Sequence, residues 1–228
     1  QTMKWNKKFE YPRTVREMVE GLRHYNINNE KLPSVTTILG KTQTAEKAEG
    51  LANWRAKVGE VEAQRIMDQA AARGTAMHSI LEHHILGKNR LDLTDIGQDA
   101  HKMADVVIEK GLCNIDEIWG CEVALHYPDL YAGATDLVGV YKNADSIMDF
   151  KQTNKPKRRE WIEDYMLQLG AYAMAHNFVY DTKIEQGVIM MCSKDGYFQE
   201  FIVSGKEFQK YQHEWLKRLD LYYKNIKK

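Results

Sequence analysis

Residues 131–151 read Tyr131-Ala132-Gly133-Ala134-Thr135-Asp136-Leu137-Val138-Gly139-Val140-Tyr141, then Lys142-Asn143-Ala144-Asp145, then Ser146-Ile147-Met148-Asp149-Phe150-Lys151. Small and β-branched apolar residues in both runs predict strands, and the short polar link between them suits a hairpin. Each strand carries an acid where strand propensity and burial both disfavour one. Asp149 and Lys151 are two apart, so they share a sheet face. Two acids and a lysine therefore converge on neighbouring strands.

Working outward, residues 118–127 form a preceding strand, joined through Pro128-Asp129-Leu130, and residues 146–152 complete an antiparallel meander. A helix over 159–177 follows, then strands over 183–193 and 197–203 across Lys194-Asp195-Gly196, then an amphipathic helix over 206–225. Upstream, Ala, Glu, Lys, Arg, Met and Leu at helical spacing predict helices over 14–22, 45–72 and 74–86, with a further one over 99–110 ending at Gly111. The expected architecture is α/β: a mixed, largely antiparallel five-stranded sheet flanked by helices and preceded by a helical N-terminal region. One domain of 228 residues is expected, with 1–110 mainly helical and 111–228 holding the sheet.

Hydrophobic residues at 43% and charged residues at 28% exclude disorder and collagen-like structure. Apolar runs fall short of the ~18 to 20 residues that cross a membrane, so no membrane partner is expected. Gln1-Thr2-Met3-Lys4 lacks a secretory-signal pattern, Met3 is expected to be the native start behind a short remnant, and an intracellular location is expected. Lys plus Arg (32) balance Asp plus Glu (32), so any attraction to a polyanion must come from a local patch. Cys113, Cys121 and Cys192 supply neither a disulfide framework nor four thiolates for an iron–sulfur cluster, and are expected as buried thiols.

A divalent cation would neutralise Asp136 and Asp149, with Lys151 left to hold a water or a phosphate oxygen, as metal-assisted phosphodiester hydrolysis requires. A structural Asp149–Lys151 ion pair with Asp136 at a strand edge is an equal alternative on these residues alone. His78 lies near a helix start after Arg73-Gly74, and Glu82 shares its face. His78, Glu82, His83 and His84 do not have the H-E-x-x-H spacing of a zinc hydrolase. Trp161, Tyr165, Gln168 and Tyr172 form one helical stripe; a core stripe is the plain reading, which Gln168 does not suit.

Gly74 with His78, Gly133-Ala134-Thr135-Asp136, Asp149-Phe150-Lys151 and Gln168 with Tyr172 stand in the order of the RecB-type nucleases of the PD-(D/E)XK superfamily, which the chain resembles over roughly residues 32–175. Leu32-Pro33-Ser34-Val35-Thr36-Thr37-Ile38-Leu39, with Trp54, Gly59 and Arg73-Gly74-Thr75, resembles the branch that contains the mitochondrial genome maintenance exonuclease and its phage relatives. The resemblance implies a restriction-endonuclease-like core. It also implies Mg²⁺ or Mn²⁺ held by His78, Asp136, Asp149 and the Phe150 carbonyl, with Lys151 positioning water and Gln168 and Tyr172 supporting the site. Relatives often place a small hydroxyl residue after the lysine, where this chain has Gln152.

For substrate, Lys155, Lys157, Arg158 and Arg159 are expected to border the site, with Trp161, Trp54 or Tyr165 stacking on bases. Glu122 reads as an exposed strand carboxylate or an accessory acid. The expectation is a metal-dependent exonuclease acting on single-stranded or flap DNA, the helical half forming an arch that admits a strand end. A non-catalytic nucleic-acid-binding module on the same scaffold is the rival.

Overall fold

The computed structural model describes residues 3–12 and 15–227. It opens on a small antiparallel sheet, β1 (Val15–Val19), β2 (Leu22–Ile27) and β3 (Glu30–Pro33), where a helix over 14–22 was expected; Thr14 itself lies outside the described residues. The hairpins explain the difference. Glu20 (φ 53) with Gly21 (φ 78), and Asn28 (φ 50) with Asn29 (φ 67), are left-handed pairs of the kind two-residue hairpins require. Turn chemistry outweighs the helix-favouring side chains of the segment.

Four helices follow: α1 (Val35–Lys41), α2 (Ala45–Val58), α3 (Glu60–Ile85) and α4 (Asp95–Lys110). The N-terminal part is thus helical from Val35 onward. The break expected at Arg73-Gly74 falls instead at Gly59 (φ 98), and α3 runs unbroken through Gly74. Gly74 serves proximity rather than termination: a Cβ there would stand 3.2 Å from Gln152 Cγ. α4 begins earlier than expected because Thr94 caps it, its hydroxyl accepting from the Gly97 N–H, and it ends at the expected Gly111.

The central sheet comprises β4 (Ile115–Tyr127), β5 (Tyr131–Tyr141), β6 (Ala144–Thr153), β7 (Gln186–Ser193) and β8 (Phe198–Ser204), in that order across the sheet. Only β6 and β7 are parallel, and α5 (Glu163–Tyr180) crosses between them. α6 (Gly205–Ile226) closes the chain. A mixed, largely antiparallel sheet flanked by helices is therefore observed as expected.

Period-two alternation sorts the core onto two faces. Met148, Phe150, Val188 and Met190 pack under α3 and α4, whereas Ile147, Ile189 and Val203 pack under α1, α5 and α6. The small sheet sits on β4 and β5 through Tyr25, Ile27 and Leu32 against Ala124 and Ala132. Among the described residues no helix is long and apolar enough to cross a membrane. The expectation of buried thiols holds for Cys192 but not for Cys113, which is exposed, and Cys121 is half-buried.

Candidate active site

Pairing of β5 with β6 ends at Leu137 opposite Met148, and beyond that point the two strands part. The fork would leave the Phe150 N–H without a ladder partner, so Asp136 supplies one: its Oδ2 accepts from Phe150 N at 2.8 Å. This is why a buried acid is tolerated in an apolar strand. The Phe150 carbonyl lies on the same strand edge as its N–H. Asp136 and Asp149 are 7% and 6% exposed, and they lie close enough that the Asp149 charge bears on Asp136.

α3 delivers His78 to the fork. Its Nδ1–H donates to the Gly74 carbonyl at 2.8 Å, which turns Nε2 toward Asp136 Oδ2 at 3.2 Å. On the other side α5 delivers Gln168 and Tyr172. Lys151 Nζ lies 2.7 Å from Asp149 Oδ2, donates to Gln168 Oε1 at 2.9 Å, and stands 4.5 Å from the centre of the Tyr165 ring. Gln168 Nε2 donates in turn to the Tyr172 hydroxyl at 3.2 Å. His78, Asp136, Asp149, Lys151, Gln168 and Tyr172 thus form one connected chain of polar contacts on the wall of a cleft of about 550 Å³.

The charges are mutually set. Burial works against the Lys151 charge, but Asp149 and Tyr165 outweigh it and the ammonium is held above its usual range. Burial likewise opposes ionisation of Asp149, yet Lys151 keeps it below the usual carboxylate range. Burial and Asp149 push Asp136 upward, while His78, which burial alone would lower, is raised to about 10 by Asp136. The two latter shifts pull on one proton in opposite senses, so His78, Asp136 and Asp149 titrate as a set rather than singly.

Two carboxylates, an imidazole and a backbone carbonyl are the oxygen-rich donor set that suits Mg²⁺ or Mn²⁺. As the side chains stand, among the described residues no three His, Cys, Asp or Glu groups surround one ion-sized point. Asp136 is engaged by Phe150 and His78, and Asp149 by Lys151. The donor chemistry fits a divalent cation, which must compete with these partners.

The expected substrate residues are not gathered here. None of Lys155, Lys157, Arg158, Arg159 and Trp161 lines the cleft. Paired hydrogen bonds between Lys157 and Gln199 pin their loop beside β8, and Arg159 is consumed by Glu207 and the Ile202 carbonyl. Trp161, 59% exposed under Arg158, borders a separate cleft with Lys47 and Arg218. Of the expected stripe, Tyr165, Gln168 and Tyr172 reach the site and Trp161 does not.

Several lining residues escaped the sequence reading. Arg16 lies in the segment expected as a helix, Arg23 and Tyr25 lie just beyond it, and Gln152, noted only for its place after Lys151, lines the cleft as well. Its Oε1 accepts from Arg73 Nη1 at 3.3 Å. Glu122, with φ 51, is water-accessible but turned into the cleft, and burial together with Asp136 raises its carboxyl to about 7. The strand register set by the turn at residues 128–130 was the available signal that Glu122 faces Asp136.

No family model matches the chain. Among curated proteins it is 30% identical to mitochondrial genome maintenance exonuclease 1 of Xenopus tropicalis over 185 residues, covering 74% of this chain and 50% of that protein. It is 27% identical to the Mus musculus protein of the same name over 214 residues, covering 86% of this chain and 60% of that one. The chain thus spans about half to three fifths of the curated relatives it matches. Among solved structures, a candidate exonuclease from Eubacterium rectale superposes with a TM-score of 0.51 at 13% identity, over 69% of this chain and 66% of that one, which shows a shared fold.

Proposed function

We propose that this chain, which resembles the RecB-type PD-(D/E)XK nucleases and is a relative of the mitochondrial genome maintenance exonucleases, is a metal-dependent, intracellular DNA exonuclease. The observation that carries the reading is the unbroken contact chain from His78 to Tyr172 through two buried acids and a half-buried lysine. A binding-only module has no use for such costly charge in its core.

In this reading His78, Asp136, Asp149 and the Phe150 carbonyl would hold Mg²⁺ or Mn²⁺. The ion would supply charge neutralisation at the phosphate and a water of lowered pKa. Lys151, kept charged, acts as a donor to the attacking water or to a phosphate oxygen and not as a base. Gln168 fixes the ammonium in place, and the Tyr172 hydroxyl fixes the amide. The water gives up a proton to solvent as its oxygen bonds to phosphorus, one P–O ester bond breaks, and the departing oxygen takes a proton from solvent.

Preference for single-stranded or flap DNA with a free end is supported by α2, which has no buried residue. Its hairpin with the largely exposed first half of α3 is tied to α5 through Lys47 and Asp164 at 3.2 Å, as the foot of an arch would be. End-labelled single-stranded, flap and duplex DNA incubated with Mg²⁺, Mn²⁺ or EDTA tests the proposal, alongside Lys151→Ala. Metal-dependent shortening from an end, lost in the variant, is expected. Cleavage in EDTA, or undiminished cleavage by the variant, would overturn the mechanism, and cleavage of a circular strand would remove the need for an end.

A further inference from the structure

We infer that the β1–β2 hairpin is a phosphate grip, in which Arg16 and Arg23 hold the nucleic-acid backbone against the cleft; the inference rests on the nuclease reading of that cleft. The cleft poses a charge problem. Asp136, Asp149, Glu82 and Glu122 all line the cleft, and a phosphodiester strand entering it meets like charge. The basic side chains lining the same space are Arg16, Arg23, His78 and Lys151. His78 is engaged with Asp136 and Lys151 with Asp149. Among the described residues, Arg16 and Arg23 have no carboxylate within ion-pair distance, although Glu122 feels the Arg16 charge across the cleft.

Strand geometry aims both arginines the same way. Arg16 pairs with Tyr25 and Met18 with Arg23, so Arg16, Arg23 and Tyr25 share one face of the small sheet. Tyr25 is 3% exposed, packs on Ala124 and Ala132, and lines the cleft, which identifies that face as the inward one. Arg16 and Arg23 are diagonal neighbours, about 7–8 Å apart at their Cα atoms. The opposite face carries Lys31, paired with Glu17 at 3.2 Å. A planar, permanently charged fork on each of two adjacent strands suits successive phosphates, and it needs no particular base sequence.

Equilibrium binding of a fluorescein-labelled oligothymidylate in EDTA, followed by anisotropy over a range of salt, separates this grip from catalysis. Arg16→Ala/Arg23→Ala is expected to bind at least about tenfold more weakly at low salt. Its log–log salt slope should be shallower by about 1.4, the loss of two single-strand phosphate contacts. Arg16→Lys/Arg23→Lys should recover most of the slope, and Lys31→Ala should match the parent. Parent-like affinity and slope in the double alanine variant with its circular dichroism melt intact, or an equal loss in Lys31→Ala, would overturn the grip even if the parent cuts DNA. A parent that binds through these arginines but never cuts would leave the grip standing and remove the nuclease reading. A parent that does not bind the oligonucleotide would overturn the grip.

Discussion

The Cα of Gly133 backs directly onto Tyr172: a methyl at that position would stand 2.5 Å from Cε1 of the ring and 3.0 Å from its hydroxyl. Because Tyr172 holds Gln168, and Gln168 holds Lys151, the absence of one methyl on β5 sets the position of an ammonium on β6. Gly133→Ala is expected to cost about 1–3 kcal/mol in urea unfolding and to reduce cleavage. Adding Tyr172→Ala to that variant should cost less than Tyr172→Ala does alone, because the two share one contact. Strict additivity would mean that the ring does not rest on the glycine.

Gly139 makes a tighter demand. Its added Cβ would collide with the Glu117 carbonyl oxygen and approach the Ile118 Cα at 3.0 Å, where β4 shifts register against β5. Backbone cannot swing aside as a side chain does. Gly139→Ala should therefore cost about 3 kcal/mol or more, measured by denaturant unfolding, and exceed the cost of Gly133→Ala.

Divalent cation should register in stability before any substrate is added. At a free concentration a hundredfold above Kd, a bound ion adds about 2.7 kcal/mol, several degrees in Tm. Differential scanning fluorimetry with Mn²⁺ or Mg²⁺ against EDTA should show this rise in the parent and lose it in Asp149→Asn. An equal rise in both would place the ion elsewhere.

His176 gives the fold an acid-sensitive point remote from the cleft. It is fully buried; its Nε2 lies 2.9 Å from the Tyr11 hydroxyl and its Nδ1 2.8 Å from Thr182 Oγ1, an arrangement that suits a neutral ring. Burial, with help from Lys8, lowers its pKa to about 4. The unfolded chain, with the ordinary value near 6.5, binds the proton more readily, so stability falls as pH drops from about 6.5 to about 4. The loss attributable to this ring is about 3 kcal/mol by pH 4. Urea unfolding at pH 7 and pH 4.5 should show a smaller drop in His176→Gln than in the parent, and an identical drop would clear this residue of the effect.

The strands around Asp136 and Asp149 were legible because a hairpin is a local object. Lys142 and Asn143 take the left-handed pair a two-residue turn needs, and the Asp149–Lys151 contact follows from period two alone. The first strands were less legible, because Arg, Glu and Met favour a helix over 14–22 and the reversal at Glu20-Gly21 is set by turn chemistry. Closeness in sequence to Lys151 likewise suggests that Lys155 to Arg159 border the site, whereas Gln199 and Glu207 draw them toward β8 and α6.

By itself, then, the sequence determined which side chains share a strand face and which turns reverse the chain, since those depend on backbone geometry over a few residues. Only the tertiary structure decided that β5 and β6 part after Leu137 and Met148, that α3 carries His78 across 58 positions to Asp136, and that Arg16 and Arg23 face the same cleft. Such meetings depend on how whole buried faces pack against one another, which no local spacing encodes.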